Sequence, residues 1–361
     1  MEDKETKSIC IVSPSLKMGG IERSLVILAN YFSQSNYLIT FISCFGGERH
    51  FIIGNRVQLS EPRFRHTGSF LSTLVFYPKL LWYIRKKVKK ANPDVILTFG
   101  DLFNSLVLLS VIGLYYPVYI SDRTSPEYHL PFPIPWLKQW LYPKSAGFIA
   151  QTKGAADFKK KQFGDKLRIC VIPNALREIK LYPDLKRERI ILFVGRFAWE
   201  KGPERLIRAF QEIPDRKGWT LHMAGSGPQL NEMRQMVSAL GISKEVVFHG
   251  NMQDVDLLYA RAGVYVLPSL LEGFPNSLCE AMAAGLPCVC FDTIPYEELF
   301  THGVDGLVVR GDDINALSNT LKMLMDDEQL RKSIGSKAQK IQTRLNVEKV
   351  GQQVKDFIFG E

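Results

Sequence analysis

Little in this chain could staple it, anchor it or load it with metal. Its 361 residues include six cysteines, Cys10, Cys44, Cys170, Cys279, Cys288 and Cys290. None forms a C-x-x-C pair and none stands at ligating distance in sequence from a histidine. That excludes a disulfide framework and a zinc module, and leaves reduced, buried thiols of a cytosolic protein as the expectation. His129, His222 and His302 likewise lack a partner at ligating spacing. The longest apolar stretch, Ser105 to Ile120, falls short of the roughly 20 residues that span a bilayer and contains Pro117. It reads as a buried helix leading into a strand. Met1 to Lys7 is polar and Ile9 to Val12 is too short for a secretory core, so no signal peptide is expected. There is no low-complexity tract and no short repeat. G-x-x-x-x-G-K-S/T is absent, and no G-x-G-x-x-G follows the first strand-like run, which disfavours a phosphate-cleaving NTPase and a dinucleotide dehydrogenase.

What is there is a globular composition, 46% hydrophobic and 23% charged, on a chain too long for one ordinary core. Two domains are expected. The net charge of +9 is lopsided: residues 1–180 carry 25 Lys and Arg against 13 Asp and Glu, residues 181–361 carry 21 against 24. An anionic partner is therefore expected for the first half. Its basic residues are interleaved with aromatic and prolyl ones, in Phe76 to Lys87 and in Phe132 to Tyr142. This pattern suits an anionic membrane surface better than nucleic acid. A solvated helix face with its aromatics in the core explains it as well.

Apolar runs alternate with helical patterns in both halves. Strands are expected at Ser8–Val12, Leu38–Cys44, Asp94–Phe99, Val118–Ser121 and Gly147–Gln151. A second set is expected at Arg189–Val194, Thr220–Ala224, Val246–His249, Val264–Leu267, Cys288–Phe291 and Gly306–Val309. Strands separated by helices make doubly wound parallel sheets. The expected architecture is α/β, two Rossmann-like domains facing a central cleft, with ligands at the carboxyl ends of the strands.

The densest pattern is P-S-L-L-E-G-F-P-N-S-L-C-E-A-M-A-A-G-L-P, in which Glu272 and Glu280 stand eight positions apart. The segment follows a strand-like run and opens a helix. Such a junction aims backbone N–H groups and a positive dipole end at a phosphate. Eight positions are about two helical turns, so Glu280 would share a face with the loop carrying Glu272. After Val194, Gly195-Arg196-Phe197-Ala198-Trp199-Glu200-Lys201-Gly202 sets a guanidinium and an ammonium at a helix start, where both could meet one anion. Gly225-Ser226-Gly227-Pro228 reads as a close backbone approach to a nucleotide.

These motifs resemble glycosyltransferase family 4, the retaining, nucleotide-sugar-using type with the GT-B fold. The resemblance covers nearly the whole chain and is strongest from Ile190 to Val309. It implies an acceptor-binding domain over 1–175, a nucleotide-sugar-binding domain over 176–345 and a C-terminal helix, 346–361, that packs back on the first domain. Glu272 would contact the donor sugar, with Phe274 beside it, and Glu280 the ribose. The Asn276, Ser277 and Leu278 amides would take the phosphates, Arg196 and Lys201 the leaving diphosphate. Gly225 and Gly227 would border the nucleotide, and Met252 the base. Gly19 and Gly20, at the first strand–helix junction, would let donor phosphate and acceptor approach. Asp122-Arg123 falls where many relatives carry a histidine near the transferred sugar. Both are catalytic candidates, but Arg123 in that place leaves the general base open. With Arg123, Asp101 and Asn104 form a polar cluster on the acceptor side; Asp101 could equally cap the helix that follows.

The implied reaction moves a hexose or N-acetylhexosamine from a nucleoside-diphosphate sugar, UDP favoured over GDP, to a glycan or polyprenyl-diphosphate-linked acceptor. It would serve surface polysaccharide synthesis, in the cytoplasm and peripherally on the inner face of the membrane. No metal, other cofactor or nucleic acid is expected. Asp254-Val255-Asp256 has a metal-binding shape, but its place at a helix start favours capping. A nucleotide-sugar epimerase of the same fold is the alternative enzyme, and a basic nucleic-acid-binding protein the alternative class.

Overall fold

The computed structural model describes residues 6–128, 130–252 and 254–360, so His129 lies outside the described residues. The chain divides into two compact units, Met1–Ala175 with Leu345–Glu361, and Leu176–Arg344. The first unit contains β1 (Ser8–Ser13), α1 (Gly20–Gln34), β2 (Leu38–Ser43), β3 (Val57–Ser60), α2 (Phe70–Ala91), β4 (Val95–Phe99) and α3 (Asp101–Ser110). After these come β5 (Val118–Ser121), α4 (Ile134–Leu141), β6 (Gly147–Ala150), α5 (Lys153–Phe163) and β7 (Ile169–Val171). All strands pair in parallel, in the order β3-β2-β1-β4-β5-β6-β7. The strands are continuous apolar runs because helices cover both faces of such a sheet; Ile9 to Val12 and Val95 to Phe99 are all buried.

The second unit contains β8 (Ile190–Val194), α6 (Pro203–Gln211), β9 (Thr220–Ala224), α7 (Leu230–Ala239), β10 (Val246–Gly250), α8 (Asp256–Arg261), β11 (Val264–Leu267) and α9 (Asn276–Ala283). It continues with β12 (Cys288–Phe291), β13 (Leu307–Val309), α10 (Ile314–Asp326), α11 (Glu328–Ala338) and α12 (Ile341–Arg344). Its parallel sheet runs β10-β9-β8-β11-β12-β13. The core gathers Ile191, Phe193, Leu206, Phe210, Leu221, Val266, Val289, Leu317 and Leu321. The last helix, α13 (Val347–Phe359), belongs to the first unit. Val350, Val354, Phe357 and Ile358 join Ile9, Leu25, Leu28 and Phe32 there. Gly351 admits the Tyr31 ring so closely that a Cβ would stand 2.2 Å from it.

In each sheet the first strand has a neighbour on both sides, β1 between β2 and β4, β8 between β9 and β11. The winding reverses there, and the loops leaving the two strands part to open a crevice at their carboxyl ends.

Two strands escape the sequence expectations, β3 and β7, both at sheet edges. Of the six cysteines, Cys170 is half-buried and the others are buried, all with free thiols. Burial pushes the Cys10 thiol up to about 12. No helix among the described residues is long and apolar enough to cross a membrane.

Candidate active site

At the switch point of the second unit, the β8 loop is fixed by backbone packing on both flanks. On one side Gly225, at φ +133°, lies so close that a Cβ would stand 1.9 Å from the Gly195 carbonyl oxygen. A Cβ on Gly227 would meet the Phe197 oxygen at 2.4 Å, and Phe197 N–H donates to Ser226 O at 2.9 Å. On the other side Gly202, at φ +61°, abuts the Pro268 carbonyl oxygen, 2.1 Å from where a Cβ would be. Leu270 N–H donates to Glu200 O at 2.8 Å. The close approach that Gly225 and Gly227 permit is therefore to the β8 loop itself. Only glycine combines these positive φ angles with that spacing.

The clamped loop delivers Lys201 to Glu272. Lys201 Nζ lies 2.6 Å from Glu272 Oε1, which also accepts from Ser269 Oγ at 2.8 Å. The Glu272 side chain is 6% exposed and that of Lys201 24%. The pair spans the crevice between the β8 and β11 loops. Arg196 pairs with Glu200, a partner the sequence reading overlooked, and its side chain remains 64% exposed. Each expected cation thus has its own carboxylate.

Glu272 is in the loop and only Glu280 is helical, because α9 starts at Asn276 after Pro275. No side chain caps α9, but of the three amides expected to take the phosphates, Asn276 N–H donates to Phe274 O at 3.0 Å and Leu278 N–H to Pro275 O at 3.1 Å. Behind them Tyr265 OH donates to Ser277 Oγ at 2.8 Å, and Phe274 and Leu278 are buried. Glu280 is buried as well and accepts from Tyr259 OH at 3.1 Å. Met252, half-buried, follows β10, and Gly225 N–H donates to Gly250 O at 2.7 Å. Asp256 is not a cap: it binds Arg177 and accepts from Lys180 N–H at 3.0 Å, while Asp254 Oδ1 accepts from Asp256 N–H at 3.0 Å. His222 Nδ1 and His249 Nε2 are 3.0 Å apart. Among the described residues no group of three or more His, Cys, Asp or Glu could hold a metal ion.

The first unit gathers its candidates at the carboxyl ends of β1, β4 and β5. Gly19 precedes α1 in extended backbone, without a side-chain cap, and Gly20 opens the helix. Ser15 Oγ donates to Glu22 Oε1 at 2.9 Å, and the other oxygen of that carboxylate folds over Gly19. Asp101 starts α3 without capping it. It accepts from Lys138 Nζ at 2.6 Å and Thr124 Oγ1 at 2.7 Å. Asp122 accepts from Lys138 and Lys159 at 2.6 and 2.7 Å on Oδ2. On Oδ1 it accepts from Tyr142 OH at 2.5 Å and Asn104 Nδ2 at 3.2 Å. A carboxylate has about four lone-pair positions, and four donors fill them. Burial would push the Asp122 carboxyl up, but Lys159 and Lys138 outweigh it and hold the group well below the usual carboxylate range. For Asp101, burial and the neighbouring Asp122 charge prevail over Lys138 and raise it. The Arg123 guanidinium sits 3.6 Å from the Phe99 ring centre and bonds Asn174. Its buried Nε has no hydrogen-bond partner among the described residues, and Arg123 lines a cavity of about 10 Å³, the size of one water.

Lys138 corrects the reading of Phe132 to Tyr142 as a basic interfacial segment. On α4 it is 5% exposed and points into the Asp101–Asp122 pair, while Phe132, Trp136 and Trp140 are 85%, 61% and 47% exposed. The helix is amphipathic with its charge inward. On α2 Trp82 is exposed and carries Lys86 at 4.8 Å, whereas Arg85 turns back to the carbonyls of Ser110 and Ile112.

Two Rossmann-like units, each built on a parallel sheet with its polar residues beyond the switch point, are the GT-B plan of the nucleotide-sugar glycosyltransferases. Residues 18–177 match the model described as Glycosyltransferase Family 4, and residues 178–341 the one described as Glycosyl transferases group 1. The chain belongs to glycosyltransferase family 4 and is a glycosyltransferase. It is 27% identical over 338 residues to an alpha-1,4-N-acetyl-D-galactosaminyltransferase of Campylobacter jejuni, with 91% of this chain and 92% of that one covered. The name of that enzyme gives its acceptor as a GalNAc disaccharide on diNAcBac-PP-undecaprenol. The amylovoran biosynthesis glycosyltransferase AmsD of Erwinia amylovora is 24% identical, over 92% of this chain and 93% of its own. Among solved structures, Anabaena Alr3699/HepE in complex with UDP-glucose superposes with a TM-score of 0.82 at 20% identity, covering 98% of this chain and all of the other.

Proposed function

We propose that the protein is a retaining glycosyltransferase that moves a hexose or N-acetylhexosamine from a UDP-sugar to a glycan or polyprenyl-diphosphate-linked acceptor in surface polysaccharide synthesis. The observation that carries this reading is the Lys201–Glu272 pair across the switch point of the second unit, beside the uncapped start of α9. The Campylobacter relative, with its undecaprenol-diphosphate acceptor, and the UDP-glucose complex of the Anabaena protein support the choice of acceptor and donor.

In this reading the start of α9, at Asn276, Ser277 and Leu278, takes the diphosphate through its dipole. Arg196 and Lys201 stabilise the charge that grows on it as the C1–O bond breaks. Glu272 holds sugar hydroxyls, Glu280 the ribose, and Gly225, Gly227, Phe274 and Met252 border the nucleotide. The acceptor oxygen bonds C1 on the face the diphosphate leaves, and its proton passes to the departing phosphate oxygen. No strong protein base is required. That suits an Asp122 whose lone pairs are already engaged; it would act by holding the β5 end that carries Arg123. Gly19 and Gly20 would give the phosphate room, and Asp101, Asn104 and Arg123 would form the acceptor side. No metal takes part. The outward aromatics of α4 and α2 would seat the protein peripherally on the anionic inner face of the membrane, from the cytoplasm.

A screen of UDP- and GDP-sugars by thermal shift and by nucleotide release, with and without chelator, tests the reading. UDP-sugars should raise the melting temperature, and a chelator should leave the shift unchanged. Arg196→Ala and Lys201→Ala should each weaken UDP binding, by about 2–4 kcal/mol if the partner is a buried phosphate. Strict Mg²⁺ dependence, or unchanged UDP affinity in both variants, would sink it. A product carrying an epimerised sugar, with no acceptor elongated, would favour the epimerase instead.

A further inference from the structure

We infer that Arg177 is a positioning residue for donor binding: it orients the carboxylate of Glu280 toward the ribose hydroxyls. The inference rests on the proposed reading of Glu280 as the ribose contact.

Arg177 is the second residue of the second unit, far in sequence from every motif that points to the site. Its guanidinium joins two buried carboxylates, Asp256 and Glu280. The fork grips Asp256, with Nη1 2.9 Å from Oδ2 and Nη2 on Oδ1. Asp256 is itself pinned by Lys180 N–H. The side edge of the guanidinium faces Glu280, with Nε 3.3 Å from Oε1 and Nη2 3.4 Å from Oε2. Tyr259 OH reaches Oε2 at 3.1 Å and also lies 3.4 Å from Ser277 O, in the first turn of α9.

The two sets of distances imply different tasks. The contacts to Asp256 are tight and bidentate, the arrangement that fixes a guanidinium in place. Those to Glu280 lie at the long end of the hydrogen-bond range. They hold the carboxylate plane and compensate its charge. Burial opposes the charge on Arg177, but bonding to Asp256 and the nearby Glu280 charge outweigh it and raise the group, so the guanidinium stays ionised. Without the cation, two carboxylates would be buried side by side, and Glu280 would turn away from Asp256. Its selectivity for a ribose would then go. A buried acceptor built for a hydroxyl rejects an analogue that lacks it, because the acceptor is then left unmatched.

The experiment is calorimetric binding of UDP and 2′-deoxy-UDP to the wild type, Arg177→Ala, Arg177→Lys, Glu280→Gln and the double variant of Arg177→Ala with Glu280→Gln. The wild type should prefer UDP by roughly tenfold or more. Arg177→Ala and Glu280→Gln should each bring that ratio to within about twofold, and the double variant should go no further. Arg177→Lys keeps the charge between the carboxylates, so it protects the fold while losing the fork, and it should lose most of the discrimination too. If Glu280→Gln removes the preference and both Arg177 variants keep it, Arg177 serves stability alone and the proposal is overturned. If the wild type does not discriminate, or Glu280→Gln leaves the ratio unchanged, the ribose reading of Glu280 fails and the role of Arg177 fails with it.

Discussion

The two units share a backbone plan and use charge in opposite ways. In the second unit the cations of the switch point belong to a loop and stay within reach of solvent: Arg196 is mostly exposed, and Lys201 partly so. Arg196 takes its carboxylate from four residues on, Lys201 from the β11 loop, and glycine contacts hold the β8 loop from both sides. In the first unit the ammonium groups come from helices, Lys138 on α4 and Lys159 on α5. They descend onto Asp101 and Asp122 at the strand ends, where nothing is more than a tenth exposed. In the proposed reading one cluster exchanges its partners for a diphosphate; the other is filled by its own ammonium groups.

The sharpest way to break that contrast is Glu272→Gln. Transfer should fall about 100-fold or more, as for loss of an interaction made mainly in the transition state, while UDP still binds and the melting temperature barely moves. Steady-state turnover with calorimetry decides it, and wild-type turnover would remove Glu272 from the chemistry. The mirror image is Lys138→Ala. It leaves two buried carboxylates with one ammonium and should cost about 3–5 kcal/mol of stability in urea unfolding. Arg196→Ala, at a mostly exposed cation, should cost less than about 1 kcal/mol. Equal losses in the two variants would erase the distinction between the clusters.

A smaller effect concerns the outer face of α4. Replacing Trp136 and Trp140 with Ala should weaken binding to anionic vesicles by a factor that changes little with salt, since apolar burial is what is lost. Neutralising Lys86, Lys87, Lys89 and Lys90 should weaken it in a salt-dependent way. Co-sedimentation at low salt checks both, and a wild type that stays in the supernatant ends the membrane reading. The smallest effect belongs to the paired histidines of the second unit. Burial first, then the charges of His249 and Arg261, push His222 down to about 4 from 6.5. Between those values the unfolded chain binds the extra proton, so His222 contributes stability that is complete above about pH 6.5 and lost as pH falls toward 4. His222→Asn should flatten that part of the stability profile; an unchanged slope would show that the pair does not titrate as described.

The elements legible in sequence were those whose signal is local. Central strands such as Val95–Phe99 and Val264–Leu267 are buried throughout and almost wholly apolar, because both faces are covered. The edge strands β3 and β7 are four and three residues long and only partly buried, too short to carry a pattern. Glu272, Lys201 and the α9 start were legible because loop and helix signals coincide there. Their partners were not. Arg177 lies 79 and 103 residues from the acids it joins. Lys138 was misread for a different reason. At about 100° per residue it lies opposite Trp136 and Trp140, and an eight-residue helix with one lysine and two tryptophans does not declare which face is the inner one. The carboxylates at the neighbouring strand ends decide it.

The position of α13 bears on how the molecule comes to be. The second unit is one uninterrupted stretch, Leu176–Arg344, whereas the first needs Leu345–Glu361. A ribosome therefore releases every residue of the second unit before the first can close over Tyr31, Leu25 and Phe32. At about 5–20 residues per second, the groove that will receive Val350, Val354 and Phe357 stays open while the whole second unit is made. Order of synthesis and order of completion are reversed, and the unit that begins first has the longer exposure to aggregation and to chaperones.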